Sequence, residues 1–271
     1  MNDRRRGPAA DGPKRPDAGR RARASSDGPR TLAVDIGGSG VKASVLRPSG
    51  EFAAERVRVE TAYPCRPDDL VAAIGGLAAR LPAFDRISAG FPGMVRGGRV
   101  LSAPHFVTVA GPGSEVSPEL EEAWAGFDLA GALEDALGRP ARVANDADVQ
   151  GAAVVAGSGL ELVVTLGTGV GTAVFDEGRL MPHLELAHHP LRRGETYNEH
   201  LGDAARRRIG NRKWNRRVRR AIGVLDALVF PDHIFVGGGN AEHVRTDLGP
   251  KVSLVDNAAG ILGGEKLWER I

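Results

Sequence analysis

Two stretches of this chain combine glycines, small hydroxyl residues and a nearby charge at spacings suited to gripping a polyanion. In Asp35-Ile-Gly-Gly-Ser-Gly40, glycines at Gly37 and Gly38 let the backbone turn sharply and bring its N–H groups against a ligand with no Cβ in the way. Ser39 adds a hydroxyl donor and Lys42 a cation. Asp35 ends an apolar strand, where a carboxylate could hold Mg²⁺, a metal that usually bridges protein carboxylate and phosphate oxygens. Taken alone, the stretch also reads as an ordinary hairpin turn. Its outline returns about half a chain later: the segment from Leu32 to Leu46 is echoed from Leu162 to Phe175, with Gly167-Thr168-Gly169-Val-Gly171 as the second turn. No Gly-Lys-Ser/Thr opens a helix, so this is no Walker A loop, and turns that lead into strands differ from a dinucleotide fingerprint. The same phosphate-sized turn built twice implies one polyanion held from two sides.

Four further clusters carry chemistry. Gly237-Gly238-Gly239-Asn240 follows the apolar strand His233 to Val236, a place where bare backbone can receive a nucleoside or simply enter the next helix. Asn145-Asp146-Ala-Asp148 ends a strand in an amide and two carboxylates. Phosphoryl transfer needs a carboxylate to take the proton of the attacking hydroxyl, although Asn or Asp before a helix can equally be a cap. Glu185-Leu-Ala-His188 sets an acceptor and an imidazole three residues apart, suited to vicinal sugar hydroxyls, with a metal site as the rival reading. Arg206 to Arg220 holds nine Lys/Arg among fifteen residues and no acid, including Arg212, Lys213, Arg216, Arg217 and Arg220. Solvated surface is the default for such a run, but mutual repulsion among so many cations favours an anionic partner: nucleic acid, acidic protein or a phosphate polymer.

These residues need a scaffold, and from Thr31 onward strand and helix patterns alternate as in an α/β fold. Strands are expected at 31–36, 41–46, roughly 53–60, 86–91, 141–145, 161–166, 170–175, 233–237 and 251–255. Helices are expected over 68–81 with Asp68 as cap, over 117–137 with a break near Gly126, and over a long stretch from 197 to 230. There, Trp214, Val218, Ile222 and Leu225 recur at helical spacing. The simplest architecture is two related domains facing across a cleft.

Hydrophobic residues at 42% and charged residues at 26% fit a soluble globular chain, and no apolar run approaches the roughly 20 residues of a membrane helix. The single Cys65 excludes an intrachain disulfide and a Cys-rich zinc site, consistent with a reducing compartment and a cytoplasmic location. The formal net charge of +2 is uneven. Residues 1–30 carry nine basic residues and four Asp, hence +5, which leaves −3 for the remainder. That tail is rich in Pro, Gly and Ala and is expected to be disordered.

Taken together, Asp35-x-Gly-Gly-Ser-x-x-Lys42, Gly90-Phe-Pro-Gly93, Asn145-Asp146-Ala, Leu166-Gly-Thr-Gly-Val-Gly171, Glu185-Leu-x-His188 and Gly237-Gly-Gly239 resemble the ROK family of sugar kinases, within it the polyphosphate glucokinase branch. The resemblance runs from Thr31 onward. It implies the two-domain, ribonuclease H-like, actin-like ATPase fold with an internal duplication. The first domain would be 31–144 plus a C-terminal helix over 257–271, and the second 145–256. It implies Asp146 as general base, with Asn145, Glu185 and His188 on a hexose, glucose at its 6-hydroxyl. It also implies donor phosphates at Gly37 to Ser39 and Gly167 to Gly169, and Mg²⁺ near Asp35. A further family glutamate, counted back from Gly202, lands on Asn198 with Glu199 beside it. The Cys-rich zinc motif of many relatives is missing, so no structural zinc is expected. The arginine run suits polyphosphate, with ATP as the other donor. The resemblance also implies a homodimer. The family's repressors carry a helix-turn-helix that residues 1–30 cannot form, so no specific DNA binding is expected. A noncatalytic sugar- or polyanion-binding protein is the alternative.

Overall fold

The computed structural model describes residues 28–255 and 259–270. The tail expected over 1–30 therefore lies, for residues 1–27, outside the described residues, as do residues 256–258 and 271 of the expected C-terminal segment. In chain order the first half runs β1 (Thr31–Gly37), β2 (Gly40–Leu46), β3 (Val57–Val59), α1 (Pro67–Ala78), β4 (Arg86–Phe91), β5 (Val95–Arg96), β6 (Arg99–Val100), α2 (Pro118–Trp124), α3 (Leu129–Leu137) and β7 (Ala141–Asn145). The second half runs α4 (Asp146–Val154), β8 (Leu160–Leu166), β9 (Val170–Asp176), β10 (Arg179–Leu180), β11 (Pro190–Arg192), β12 (Glu195–Thr196), α5 (Tyr197–Leu201), α6 (Asp203–Ile209), α7 (Asn211–Val229), β13 (His233–Gly237), β14 (Val252–Leu254) and α8 (Ala259–Arg270).

The two glycine hairpins occupy equivalent places in two sheets of matching order. One sheet is ordered β3-β2-β1-β4-β7 and the other β10-β9-β8-β13-β14. In each, an antiparallel hairpin (β1/β2, β8/β9) is extended by two parallel strands (β4 and β7, β13 and β14). This is the duplicated plan of the actin-like ATPase fold. Each sheet has its own core. Leu32, Ile36, Ile74, Phe91, Phe106 and Trp124 belong to the first cluster, and Leu162, Leu166, Trp214, Val218, Ile222 and Val236 to the second.

The parallel registers put Asp35 beside Gly90, Gly90 beside Ala144 and Phe91 beside Asn145, so the chemistry-bearing residues line the carboxyl ends of β1, β4 and β7. Helix α8 packs on α4 and returns the chain to β1 of the first sheet. A Cβ on Gly263 would collide with the Val149 carbonyl, and one on Gly264 would lie 2.9 Å from Ala33 Cβ of β1. Trp268 of α8 donates from its indole to Ser88 Oγ at 2.8 Å, anchoring the helix on the first sheet.

Several element boundaries differ from the sequence expectation. Helix α1 is capped at Arg66 rather than Asp68: Pro67 occupies the first helical position, where its missing N–H costs nothing, and the Arg66 N–H donates to Asp69 Oδ2. The expected long helix over 197–230 is three helices. Gly210, at φ +76°, turns the chain before α7, and Gly202 separates α5 from α6. The strand expected over 53–60 is reduced to Val57–Val59.

Candidate functional site

Asp146 opens α4 directly after β7, held there by its neighbour. Asn145 Oδ1 accepts from the Ala147 N–H at 2.8 Å, capping the helix, while Asn145 Nδ2 donates to the Gly93 carbonyl at 3.0 Å. The amide is buried and used at both ends. The resemblance placed Asn145 on the sugar; here it ties the Gly90–Gly93 turn to the helix that carries Asp146. Gly90 lies so close that a Cβ there would be 3.4 Å from Asp146 Cα. Burial pushes the Asp146 carboxyl up to about 6 against the opposing Ala147 hydrogen bond, and the negative charges of Asp35, Asp148 and Glu185 push the same way. Four carboxylates from both halves of the chain therefore share this space, and Asp146 is poised to take up a proton near neutral pH.

The first glycine turn is braced by residues that carry no motif in the sequence. Thr61 Oγ1 donates to the Gly37 carbonyl and the Tyr63 hydroxyl to the Gly38 carbonyl, each at 2.7 Å, while Arg58 donates to the Ser39 carbonyl at 3.0 Å. In a trans peptide the carbonyl and the next N–H point oppositely. Tying back the Gly37 and Gly38 carbonyls therefore turns the Gly38 and Ser39 N–H groups away from those three side chains, as an anion cradle needs. Lys42 sits across the β1/β2 pair from Asp35, and its ammonium lies 3.3 Å from Asp35 Oδ2. Mg²⁺ is commonly held by one or two carboxylates together with phosphate oxygens and water, so the single, partly exposed Asp35 fits a cation that arrives with donor phosphates. Lys42 is then free to follow the phosphate charge. Among the described residues, no group of three or more His, Cys, Asp or Glu is placed to hold a metal ion by itself.

The second turn is fixed as firmly. Asn198 Oδ1 accepts from the Val170 N–H at 2.6 Å, Asn240 Nδ2 donates to the Gly167 carbonyl at 2.9 Å, and the Asp203 N–H donates to the same carbonyl at 3.0 Å. Gly171 abuts Ala147 of α4, which brings this hairpin against the helix that begins at Asp146. Gly238, at φ +84°, packs on the backbone of Leu166, so the Gly238–Gly239 turn and the Gly167–Gly169 turn are neighbours, with Thr168 and Gly239 exposed.

Glu185 stands at the N-cap of a single 3-10 turn, Leu186–His188, and His188 is its last residue. His188 is exposed and faces His105, whose imidazole is held below its usual range by burial and by the charge of His188. His105 in turn lies against Gly38, so a loop of the first half reaches from the phosphate turn to the Glu185–His188 segment. Glu199 is engaged locally through one of its two oxygens. Its Oε2 accepts from the Thr196 N–H at 2.8 Å and from Thr196 Oγ1 at 3.0 Å, a capping box that starts α5. Asn198 is held by the Val170 N–H of the second turn, while Glu199, exposed, feels the charge of His188. Spacing back from Gly202 could not distinguish a cap from a ligand.

The arginine run folds into α6 and α7. Its charges are partly answered by acids outside it: Arg206 and Arg207 pair with Asp203 at 2.8 and 2.7 Å, and Arg208 and Arg217 approach Glu195 at 3.8 and 3.7 Å. Among the described residues, Arg212, Lys213, Arg216 and Arg220 have no acidic partner within ion-pair reach. Lys213, Arg216, Arg217 and Arg220 line a concave site of about 540 Å³ together with Arg192 and Arg193 of the β11/β12 hairpin, while Arg212 lies outside it. The hairpin arginines lie some twenty residues from the helix face they meet, so no local pattern announces them.

The polyphosphate glucokinase of Mycobacterium tuberculosis (strain CDC 1551 / Oshkosh) is 26% identical over 253 residues, covering 85% of this chain and 88% of that protein. The crystal structure of an inorganic polyphosphate/ATP-glucomannokinase from Arthrobacter sp. strain KM superposes with a TM-score of 0.72 at 28% identity, over 88% of this chain and 97% of that one. A ROK family glucokinase from Streptomyces griseus, solved with glucose and AMPPNP, shares the fold at a TM-score of 0.66 and 18% identity, over 88% and 98% of the two chains. Residues 31–184, which hold both glycine hairpins and the Asp146 helix and stop one residue short of Glu185, match the ROK family. The chain belongs to the ROK family.

Proposed function

We propose that this protein is a hexokinase-type phosphotransferase that moves a phosphoryl group to a hexose, glucose at its 6-hydroxyl, from inorganic polyphosphate or ATP. The observation that carries the reading is Asp146: a carboxylate of raised proton affinity, fixed by an asparagine cap, set among both glycine turns and the Glu185–His188 segment. Asp146 takes the proton of the attacking hydroxyl. Glu185 accepts from sugar hydroxyls and His188 donates or accepts beside it, while Asn145 fixes Asp146 and contributes to the sugar contact from the same position. Donor phosphates lie against the Gly37–Ser39 and Gly167–Gly169 turns, received by the N–H groups of Gly38, Ser39, Thr168 and Gly169, while the Gly167 N–H closes its own turn on the Gly169 carbonyl. A nucleoside, when ATP is the donor, lies against Gly238 and Gly239.

When bound at Asp35, Mg²⁺ would supply neutralisation of phosphate charge, with Lys42 adding a second cation. Alignment of hydroxyl and phosphate, together with exclusion of water between the two halves, accounts for rate without covalent chemistry by the protein. The polyphosphate arm of the reading rests on the cationic face of Lys213, Arg216, Arg217 and Arg220, with Arg212 outside the concave site on the same helix. The names of the M. tuberculosis and Arthrobacter relatives support it. The two-halves architecture of residues 31–144 with the C-terminal helix and 145–256 is part of the same proposal, as are a homodimer and a cytoplasmic location.

The test is to incubate purified protein with glucose, mannose and N-acetylated hexoses against ATP and long-chain polyphosphate in the presence of Mg²⁺, following hexose phosphate by ³¹P NMR. Formation of glucose 6-phosphate is the expected outcome. Binding of hexose or polyphosphate without any phosphorylated product would favour the noncatalytic alternative.

A further inference from the structure

Asp148 and His183 belong to none of the assigned contacts, yet they form the most buried charged pair at the site. Asp148 stands two residues beyond Asp146 in the first turn of α4. His183 comes from the segment after β10, and the two side chains are 3% and 4% exposed. His183 Nδ1 lies 2.9 Å from Asp148 Oδ1, and His183 Nε2 lies 3.7 Å from Glu185 Oε2. The ring is therefore fastened on one nitrogen by a short bond to a buried carboxylate and presents the other to Glu185.

Burial alone would strip the proton from this imidazole, but the two carboxylates outweigh it and carry its titration up to about 9. Glu185 is held below its usual range, first by the His183 contact. Among the described residues His183 is the one ion-pair partner of both acids. Without it, Glu185 would face Asp146 and Asp148 with only the charge of His188, which makes no ion-pair contact with it, to offset their repulsion.

We propose that His183, oriented by Asp148, is a positioning residue that fixes the Glu185 carboxylate in one direction for recognition of the hexose hydroxyls. The arrangement leaves Glu185 Oε1 to accept from the sugar while Oε2 is turned to the imidazolium. Asp148 and His183 thus act on the sugar through Glu185, in the way that a hydrogen-bonded carboxylate orients a ligand-binding histidine elsewhere. The proposal rests on the reading of Glu185 as a sugar contact.

The test uses the full chain with three substitutions: His183→Asn, Asp148→Asn and the double His183→Asn/Asp148→Asn. The double variant removes both charges together and so leaves no unpaired buried carboxylate to compromise folding. Hexose affinity is measured by calorimetry without donor or Mg²⁺, and KM for hexose and donor by steady-state assay, with thermal melts alongside. His183→Asn and the double variant are expected to weaken hexose affinity and raise hexose KM about 10- to 100-fold, the range for loss of a charge-assisted contact. Donor KM is expected to stay within about 2-fold. Asp148→Asn, which keeps a side-chain partner for Nδ1, is expected to lie between wild type and His183→Asn.

A folded double variant with wild-type hexose affinity overturns the proposal. So does an equal rise in hexose and donor KM with a lowered melting temperature, which would mark His183 as a structural prop. If wild type binds hexose but phosphorylates none, the kinase reading fails, and the calorimetric comparison still decides the role of His183. A wild type that binds no hexose overturns both.

Discussion

Acidification separates a poised general base from an ordinary surface carboxylate. Asp146 is pushed up to about 6 by burial and by the charges of Asp35, Asp148 and Glu185. A base must be ionised to accept a proton, so its working form is lost as pH falls through that value. With a midpoint near 6 in the free enzyme, the ionised fraction drops from roughly 90% at pH 7 to roughly 10% at pH 5, and kcat/KM for glucose should fall about 10-fold over that span. A solvent-exposed aspartate with its midpoint near 3.9 would lose less than about a tenth of its activity over the same interval. The assay is initial-rate phosphorylation of subsaturating glucose with ATP and Mg²⁺ from pH 5 to 8, with melting temperature recorded at each pH so that unfolding is not mistaken for protonation. The expected profile has one acid limb of unit slope centred near 6. A kcat/KM that stays flat to pH 5 in folded protein would refute the assignment of the raised proton affinity to the catalytic base.

Other consequences follow from the packing and the charge. Gly238→Ala places a methyl group 2.5 Å from the Leu166 carbonyl at a positive φ, so it should cost about 1–3 kcal/mol in denaturant unfolding and raise donor KM more than hexose KM. Gly263→Ala drives a methyl into the Val149 carbonyl where α8 crosses α4, and should lower stability by about 1–3 kcal/mol or more, which for a chain of this length is a melting shift of several degrees. Replacing Arg212, Arg216 and Arg220 with Glu should raise KM for long-chain polyphosphate and flatten its salt dependence while leaving KM for ATP within about 2-fold. An equal effect on both donors would argue against a separate polymer-binding face.

The duplicated sheets were legible because each hairpin keeps its apolar strands and glycine turn in one continuous stretch. The matching strand orders are what the repeat at Leu32–Leu46 and Leu162–Phe175 implied. The breaks in the long helical region were harder to see, since the amphipathic pattern through Trp214 and Val218 hides the left-handed Gly210. What the sequence concealed in the site is almost entirely nonlocal support. Thr61 and Tyr63 hold a turn more than twenty residues away, and His105 meets Gly38 and His188 from opposite halves of the chain. His183 reaches Asp148 across 35 positions. Glu199 shows the converse, an acid at a suggestive spacing one of whose oxygens closes a capping box with Thr196, three residues before it.

The claim that most needs testing is that Asp146 takes the proton in phosphoryl transfer to a hexose. Asp146→Asn keeps the shape of the side chain and its place at the start of α4 while removing its ability to accept that proton. The decisive measurement is the kcat for glucose 6-phosphate formation by this variant, beside its calorimetric glucose affinity. A loss of about 10²- to 10⁴-fold in kcat with glucose binding within a few-fold of wild type is predicted. Turnover near the wild-type rate would contradict the account.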